Sequence, residues 1–139
     1  MEREYPCARF LWHENGCRSN GTLTRVSPRT TRLSVVVITR DEAPNIDAAL
    51  ASVAWADEIV VVDSGSVDDT VERAKRHTTR VLHHDWIGYG SQKDHATSVA
   101  THDWVFSLDA DERVSDELAS EIKTLLAAEP LHRGYRMPR

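Results

Sequence analysis

The strongest constraint on this chain's fold is a recurring pattern: a short, β-branched, almost wholly apolar run, then a turn, then a stretch of helical periodicity. Leu33-Ser-Val-Val-Val-Ile-Thr39 is the first such run. It is too continuously apolar for a strand with one wet face and suits a strand covered on both. Ile46, Ala49, Leu50 and Val53 follow at i, i+3, i+4 and i+7, which predicts a short amphipathic helix with Asn45 as its N-cap. Glu58 to Asp63 repeats the strand pattern, and Ser66-Val-Asp-Asp69 has the shape of a capping box opening a helix toward His77. A shorter strand is expected over Arg80 to His83, an irregular loop from His84 to Gly90, and a helix capped by Ser91 running toward Thr101. Trp104 to Leu108 reads as the next strand. Ser115 to Ala128 is the clearest helix, with Leu118, Ile122, Leu125 and Leu126 at helical spacing and Pro130 at its end, and Gly134 to Met137 opens one more strand. Such alternation predicts an α/β layer structure with a mainly parallel sheet and right-handed crossovers.

In sheets of this kind ligands bind beyond the carboxyl ends of the strands. Those ends here carry acids: Asp41 after the first strand, Asp63 after the second, and the pair Asp109 and Asp111 after Trp104-Val-Phe-Ser-Leu. In an extended chain residues i and i+2 project to one side, so Asp109 and Asp111 could share a hard cation, Mg or Mn, with phosphate oxygens completing its shell. A D-x-D alone is also what a solvated acidic turn looks like. Acids at three separate strand ends are what favour a ligand site. Carboxylates repel a bare anion, so a phosphate ligand would have to arrive with a divalent metal. Neither G-x-G-x-x-G nor G-x-x-x-x-G-K-[ST] occurs, which removes the dinucleotide and P-loop cradles.

The 139 residues amount to one domain, with a break in character near residue 32. Residues 1–32 mix Gly, Asn, Ser, Thr, Pro and Arg without a lasting period and are expected to be a disordered or loosely packed extension, whose Tyr5, Phe10 and Trp12 could dock on the domain formed by 33–139. The leader holds six Arg against three Glu, and the remainder eleven Lys or Arg against nineteen acids. No basic stripe accompanies the aromatics of the main body, so a nucleic-acid partner is not expected. Cys7 and Cys17 have no second pair and no zinc-site spacing, which fits a reducing, cytoplasmic compartment. The longest apolar run, Leu33 to Ile38, falls far short of the ~18 residues of a membrane span. Peripheral association with the inner face of a membrane stays open.

Four blocks in order resemble a known family: Ser34-Val-Val-Val-Ile-Thr-Arg-Asp-Glu-Ala-Pro-Asn-Ile, Ala56-Asp-Glu-Ile-Val-Val-Val-Asp-Ser-Gly-Ser-Val-Asp-Asp-Thr, Gly88-Tyr-Gly-Ser-Gln-Lys and Asp103-Trp-Val-Phe-Ser-Leu-Asp-Ala-Asp-Glu-Arg. They are similar to family 2 glycosyltransferases, in particular the bacterial branch that adds sugars to lipopolysaccharide core. The resemblance implies a GT-A fold that binds a nucleotide-diphosphate sugar with Mg or Mn and transfers the sugar, with inversion, to a glycan or lipid-linked acceptor. It implies base and ribose contacts for Asp41 and Asp63, a place by the ribose and metal for Asp109, and metal ligation for Asp111. Gln92 and Lys93 match the segment that lies over the nucleotide sugar, and Asp69 is expected to cap a helix rather than bind a ligand. The family usually has Asn where this chain has Asp41 and Asp94. Family members continue beyond the position of Arg139, where the acceptor half and the catalytic base are expected. A non-catalytic nucleotide-sugar-binding remnant, or a subunit of a split enzyme completed by a second chain, is the competing reading.

Other patterns carry less. Adjacent residues on a strand face opposite sides, which speaks against a metal cluster at His83-His84-Asp85. Aspartate-nucleophile phosphohydrolases also use D-x-D, but they require Thr or Val where this chain has Arg113, and on the first strand.

Overall fold

A computed structural model describes residues 10–13, 31–128, 130 and 132–137. Cys7, Cys17, Tyr5 and Arg139 lie outside them. Six strands form one sheet: β1 (Phe10–His13), β2 (Leu33–Thr39), β3 (Glu58–Asp63), β4 (Val81–His83), β5 (Trp104–Asp109) and β6 (Gly134–Arg136), in the spatial order β4-β3-β2-β5-β1-β6. The pairs β2–β3, β3–β4 and β2–β5 are parallel, and β1 runs antiparallel to both β5 and β6. The helices are α1 (Ile46–Ala51), α2 (Thr70–Ala74), α3 (Tyr89–Ser98) and α4 (Asp116–Ala127).

The continuous apolarity of β2 has the expected cause. Val35 and Val37 join Leu33, Ile46, Leu50, Phe106, Leu108, Ile122 and Leu126 in a core on one face, whereas Val36 joins Val60, Val62, Ala96 and Val105 on the other. Alternate residues of one strand thus enter different cores.

One departure is the leader. Residues 1–32 are expected to lie outside the domain, yet Phe10–His13 is a strand of the sheet, with Leu11 opposite Phe106 on one side and Tyr135 on the other. Four residues form too short a run to register as periodic, and the partners that order them lie far along the chain.

The helix starts also shift. Asn45 occupies the N-cap of α1, but its amide donates to Glu42 Oε2 at 2.9 Å instead of the amide group's oxygen capping the helix. The capping box expected at Ser66 does not form, because the Ser66 hydroxyl donates to Asp63 and Asp68 accepts the Thr70 N–H at 3.0 Å; α2 is a five-residue helix behind Asp69, which caps with no side-chain bond. Helix α3 begins at Tyr89 rather than Ser91, behind Gly88 at φ 102°, where open space surrounds the missing side chain, so glycine serves there for its backbone freedom alone. Ser115 caps α4 as its position predicts, its hydroxyl accepting the Leu118 N–H at 3.2 Å. Replacing Ser115 by Ala should lower stability by ~1 kcal/mol in urea unfolding.

Candidate active site at the carboxyl edge of the sheet

After β2 the chain builds β3 and β4 on one side, then crosses through α3 to place β5 on the other side of β2. The strand order therefore reverses between β2 and β5, and in open α/β sheets the crevice beyond this point is where ligands bind. A cleft of about 850 Å³ opens there, lined by Thr39 and Arg40 from the end of β2, by the Asp109–Glu112 turn after β5, and by Trp86 and Tyr89.

Asp109 is the last residue of β5, whereas Asp111 lies in a turn, so the alternation of an extended chain does not govern the pair. A tight turn brings both to the cleft instead: the Glu112 N–H donates to the Asp109 carbonyl at 3.0 Å, and Glu112 Oε2 in return accepts the Asp109 N–H at 3.4 Å. Asp111 is exposed. Asp109 is about three-quarters covered, with its Oδ1 2.8 Å from the Lys93 ammonium of α3. Thr39 is 5% exposed, and its hydroxyl has no hydrogen-bond partner among the described residues although it borders the cleft. Buried hydroxyls are ordinarily paired, and one left open costs ~1–3 kcal/mol. Its position suits a group supplied from the cleft. Trp86 and Tyr89 meet edge to face, with centroids 4.7 Å apart, and stay 43% and 69% exposed.

The remaining expected residues sit elsewhere. Asp41 and Asp63 do not line this cleft. They hold the two neighbouring strand-end loops together. Asp63 is buried and accepts the N–H groups of Gly65 at 2.9 Å and Ser66 at 3.0 Å, while the Ser66 hydroxyl also accepts the Asp41 N–H at 2.8 Å. Asp41 Oδ1 closes the arrangement by accepting the Val67 N–H at 2.7 Å. Asp41 has φ 54°, a left-handed conformation that Asp and Asn tolerate better than other side chains. Gln92 is fully buried: its Nε2 donates to Ser64 Oγ at 2.9 Å and to the His84 carbonyl at 3.1 Å, fastening α3 to the end of β3. His84 stacks on His95, at 3.7 Å between centroids, while His83 turns outward to Asp85, so the two neighbours do face opposite ways. Glu112 lines the cleft beside Asp111, where it was expected either to support a metal site or to start a solvated turn. Thr39 and Glu42, on either side of the Arg40-Asp41 pair, had no local signal, and only the orphaned hydroxyl and the shared cleft distinguish them.

Among the described residues no three His, Cys, Asp or Glu are grouped to hold a metal ion. The donor set still fits a hard cation. Asp109 and Asp111 offer carboxylate oxygens, and Mg or Mn characteristically takes one or two carboxylates plus ligand phosphates and water. The Lys93 ammonium already stands against Asp109 as a positive charge.

The fold is of the GT-A type found in glycosyltransferases. The structure matches the Staphylococcus aureus TarS 1-349 crystal structure at TM-score 0.59 and 26% identity, over 70% of this chain and 32% of that one. It also matches glucosyl-3-phosphoglycerate synthase from Mycobacterium tuberculosis in complex with Mn2+, UDP and glucosyl-3-phosphoglycerate, at TM-score 0.53 and 25% identity over 60% and 36%. Residues 34–131 match glycosyl transferase family 2, and the chain belongs to that family. A Rickettsia conorii protein named as an uncharacterized glycosyltransferase is 41% identical over 71% of this chain and 36% of its own length. A Rhizobium meliloti lipopolysaccharide core biosynthesis glycosyltransferase, LpsC, is 33% identical over 77% and 42%. The chain thus spans roughly a third of the length of the first relatives it matches.

Proposed function

We propose that this chain carries the donor site of a glycosyltransferase that takes a nucleotide-diphosphate sugar with Mg or Mn and transfers the sugar, with inversion, to a glycan or lipopolysaccharide-core acceptor. The observation that carries this reading is the meeting of Asp109, Asp111 and the unpartnered Thr39 hydroxyl in one cleft at the sheet's switch point. In this reading Asp109 and Asp111 supply oxygen ligands to the cation, Thr39 donates to the donor substrate, and Asp41 and Asp63 serve the nucleoside end by shaping its loops. The cation, when bound, supplies Lewis-acid stabilisation of the departing diphosphate. Inverting transfer also requires a base for the acceptor hydroxyl.

The direct test is thermal unfolding of the purified chain with Mn2+ and a panel of UDP-, GDP- and ADP-sugars. A ligand at 100 times its dissociation constant adds ~2.7 kcal/mol, worth several degrees in a domain of this size. The expected result is a shift with one nucleotide that disappears on chelation; no shift with any would overturn the reading. Thr39→Val offers a sharper check of the orphaned hydroxyl. Because it removes an unsatisfied group at nearly constant shape, the unliganded variant should be as stable as wild type or more so, while donor affinity falls about tenfold. A variant that is less stable and binds normally would show the hydroxyl to be structural.

A further inference from the structure

Among the described residues, four carboxylates, Glu42, Asp109, Asp111 and Glu112, and one cation, Arg40, line the cleft. Lys93 of α3 stands against this wall, its Nζ 2.8 Å from Asp109 Oδ1, with both side chains about three-quarters buried. We propose that Lys93 is an exchangeable counterion: it occupies the cation's place on Asp109 in the empty site, and moves from the carboxylate to the donor's diphosphate when metal and nucleotide arrive together. This rests on the donor-site reading and assigns Lys93 a positioning role within it.

The physical argument is one of charge balance. A partly covered carboxylate among other acids is costly to leave without a nearby cation, and the ammonium supplies one. Two carboxylates alone make a weak site for Mg or Mn, and the ammonium weakens it further by competing for Asp109, so a bare cation gains little by entering. A cation carrying a diphosphate is different. It displaces the ammonium from Asp109, and the incoming phosphate oxygens give that ammonium a new partner close by. Lysine suits the exchange because its charge is a compact point on a flexible stem, whereas an Arg fork would hold the carboxylate in fixed bidentate geometry. Helix α3 adds to the same end: it starts with Tyr89 on the cleft wall and has no side-chain cap, so the positive pole of a ten-residue helix meets the rim of the cleft.

The consequence is a pair of effects of opposite sign, which a merely structural ion pair would not produce. Wild type, Lys93→Met and Lys93→Arg would be titrated with Mn2+ alone and with Mn2+ plus pyrophosphate, following free Mn2+ by its electron paramagnetic resonance signal. Lys93→Met should bind Mn2+ alone about tenfold more tightly than wild type and Mn2+-pyrophosphate about tenfold more weakly. Lys93→Arg, which keeps the charge, should return the affinity for Mn2+ alone to the wild-type value or below. Unchanged or weaker Mn2+ binding by a folded Lys93→Met, with wild type still taking Mn2+-pyrophosphate, would overturn the exchange and leave the donor site standing. No binding by any variant in either titration would overturn both.

Discussion

Replacing Asp111 by Asn is expected to abolish metal-dependent binding of the nucleotide sugar while leaving the fold intact. The side chain is exposed in the turn after β5, so stability should change by no more than ~0.5 kcal/mol. An amide is a poorer ligand for a hard cation than a carboxylate, and the substitution removes a full negative charge from the site. A loss of about 100-fold in donor affinity, near 2.7 kcal/mol, is the expected size. The thermal shift seen with Mn2+ and the productive nucleotide sugar should vanish in Asp111→Asn, just as it vanishes for wild type in a chelator. Equal shifts in variant and wild type would remove Asp111 from the metal.

The second large effect lies at the opposite edge of the sheet, where Glu58 opens β3. Its carboxylate accepts hydrogen bonds from the Ser34 hydroxyl of β2, the Arg80 guanidinium, and the Thr101 N–H and hydroxyl at 2.8 and 2.7 Å. Ser34 Oγ in turn accepts the His102 N–H at 3.1 Å, so one acid ties together the starts of β2 and β3 and the connection into β5. Partial burial works against the charged form, but the bonds from Ser34, Thr101 and Arg80 outweigh it and hold the pKa down to about 2, against an ordinary 4.5. A folded-state pKa below the unfolded one stabilises at neutral pH, and that contribution drains away as pH falls from the unfolded value toward the folded one. The shift corresponds to ~3 kcal/mol. Glu58→Gln should therefore cost about that much in urea unfolding near neutrality, and the gap to wild type should close between about pH 5 and pH 2. Parallel loss of stability by the two proteins across that range would place the acid sensitivity elsewhere. The site and this anchor are separable, because the candidate cleft lies beyond the carboxyl ends of the strands, whereas Glu58 stands at the start of β3.

The legibility of the site varied with the range of the signal. Asp109 and Asp111 could be singled out as candidates because a strand that stops in acid is visible within ten residues, and Ser115 could be placed because a cap and an apolar stripe are both local. Gln92 lay in a recognisable block, yet whether its amide faced a ligand or Ser64 depended on how α3 sits against β3. Asp41 and Asp63 were marked by their strand ends, but their hydrogen bonds to the Ser66–Val67 loop are made across the gap between those strands. Thr39 looked like any strand-end threonine until the structure left its hydroxyl without a partner among the described residues.

By itself the amino-acid sequence determined the elements and their class: apolar runs bounded by turns become buried strands, helical spacing becomes helices, and their alternation forces a layered, largely parallel sheet. Tertiary structure alone decided the strand order, and with it that β2 and β5 flank the switch point where the cleft opens. It also decided that Phe10–His13 enters the sheet and that Lys93 faces Asp109. The physical reason is the same in each case. Burial pattern and capping are written in neighbouring residues, whereas strand partners, ion pairs and orphaned hydroxyls depend on groups that only the completed sheet brings within reach.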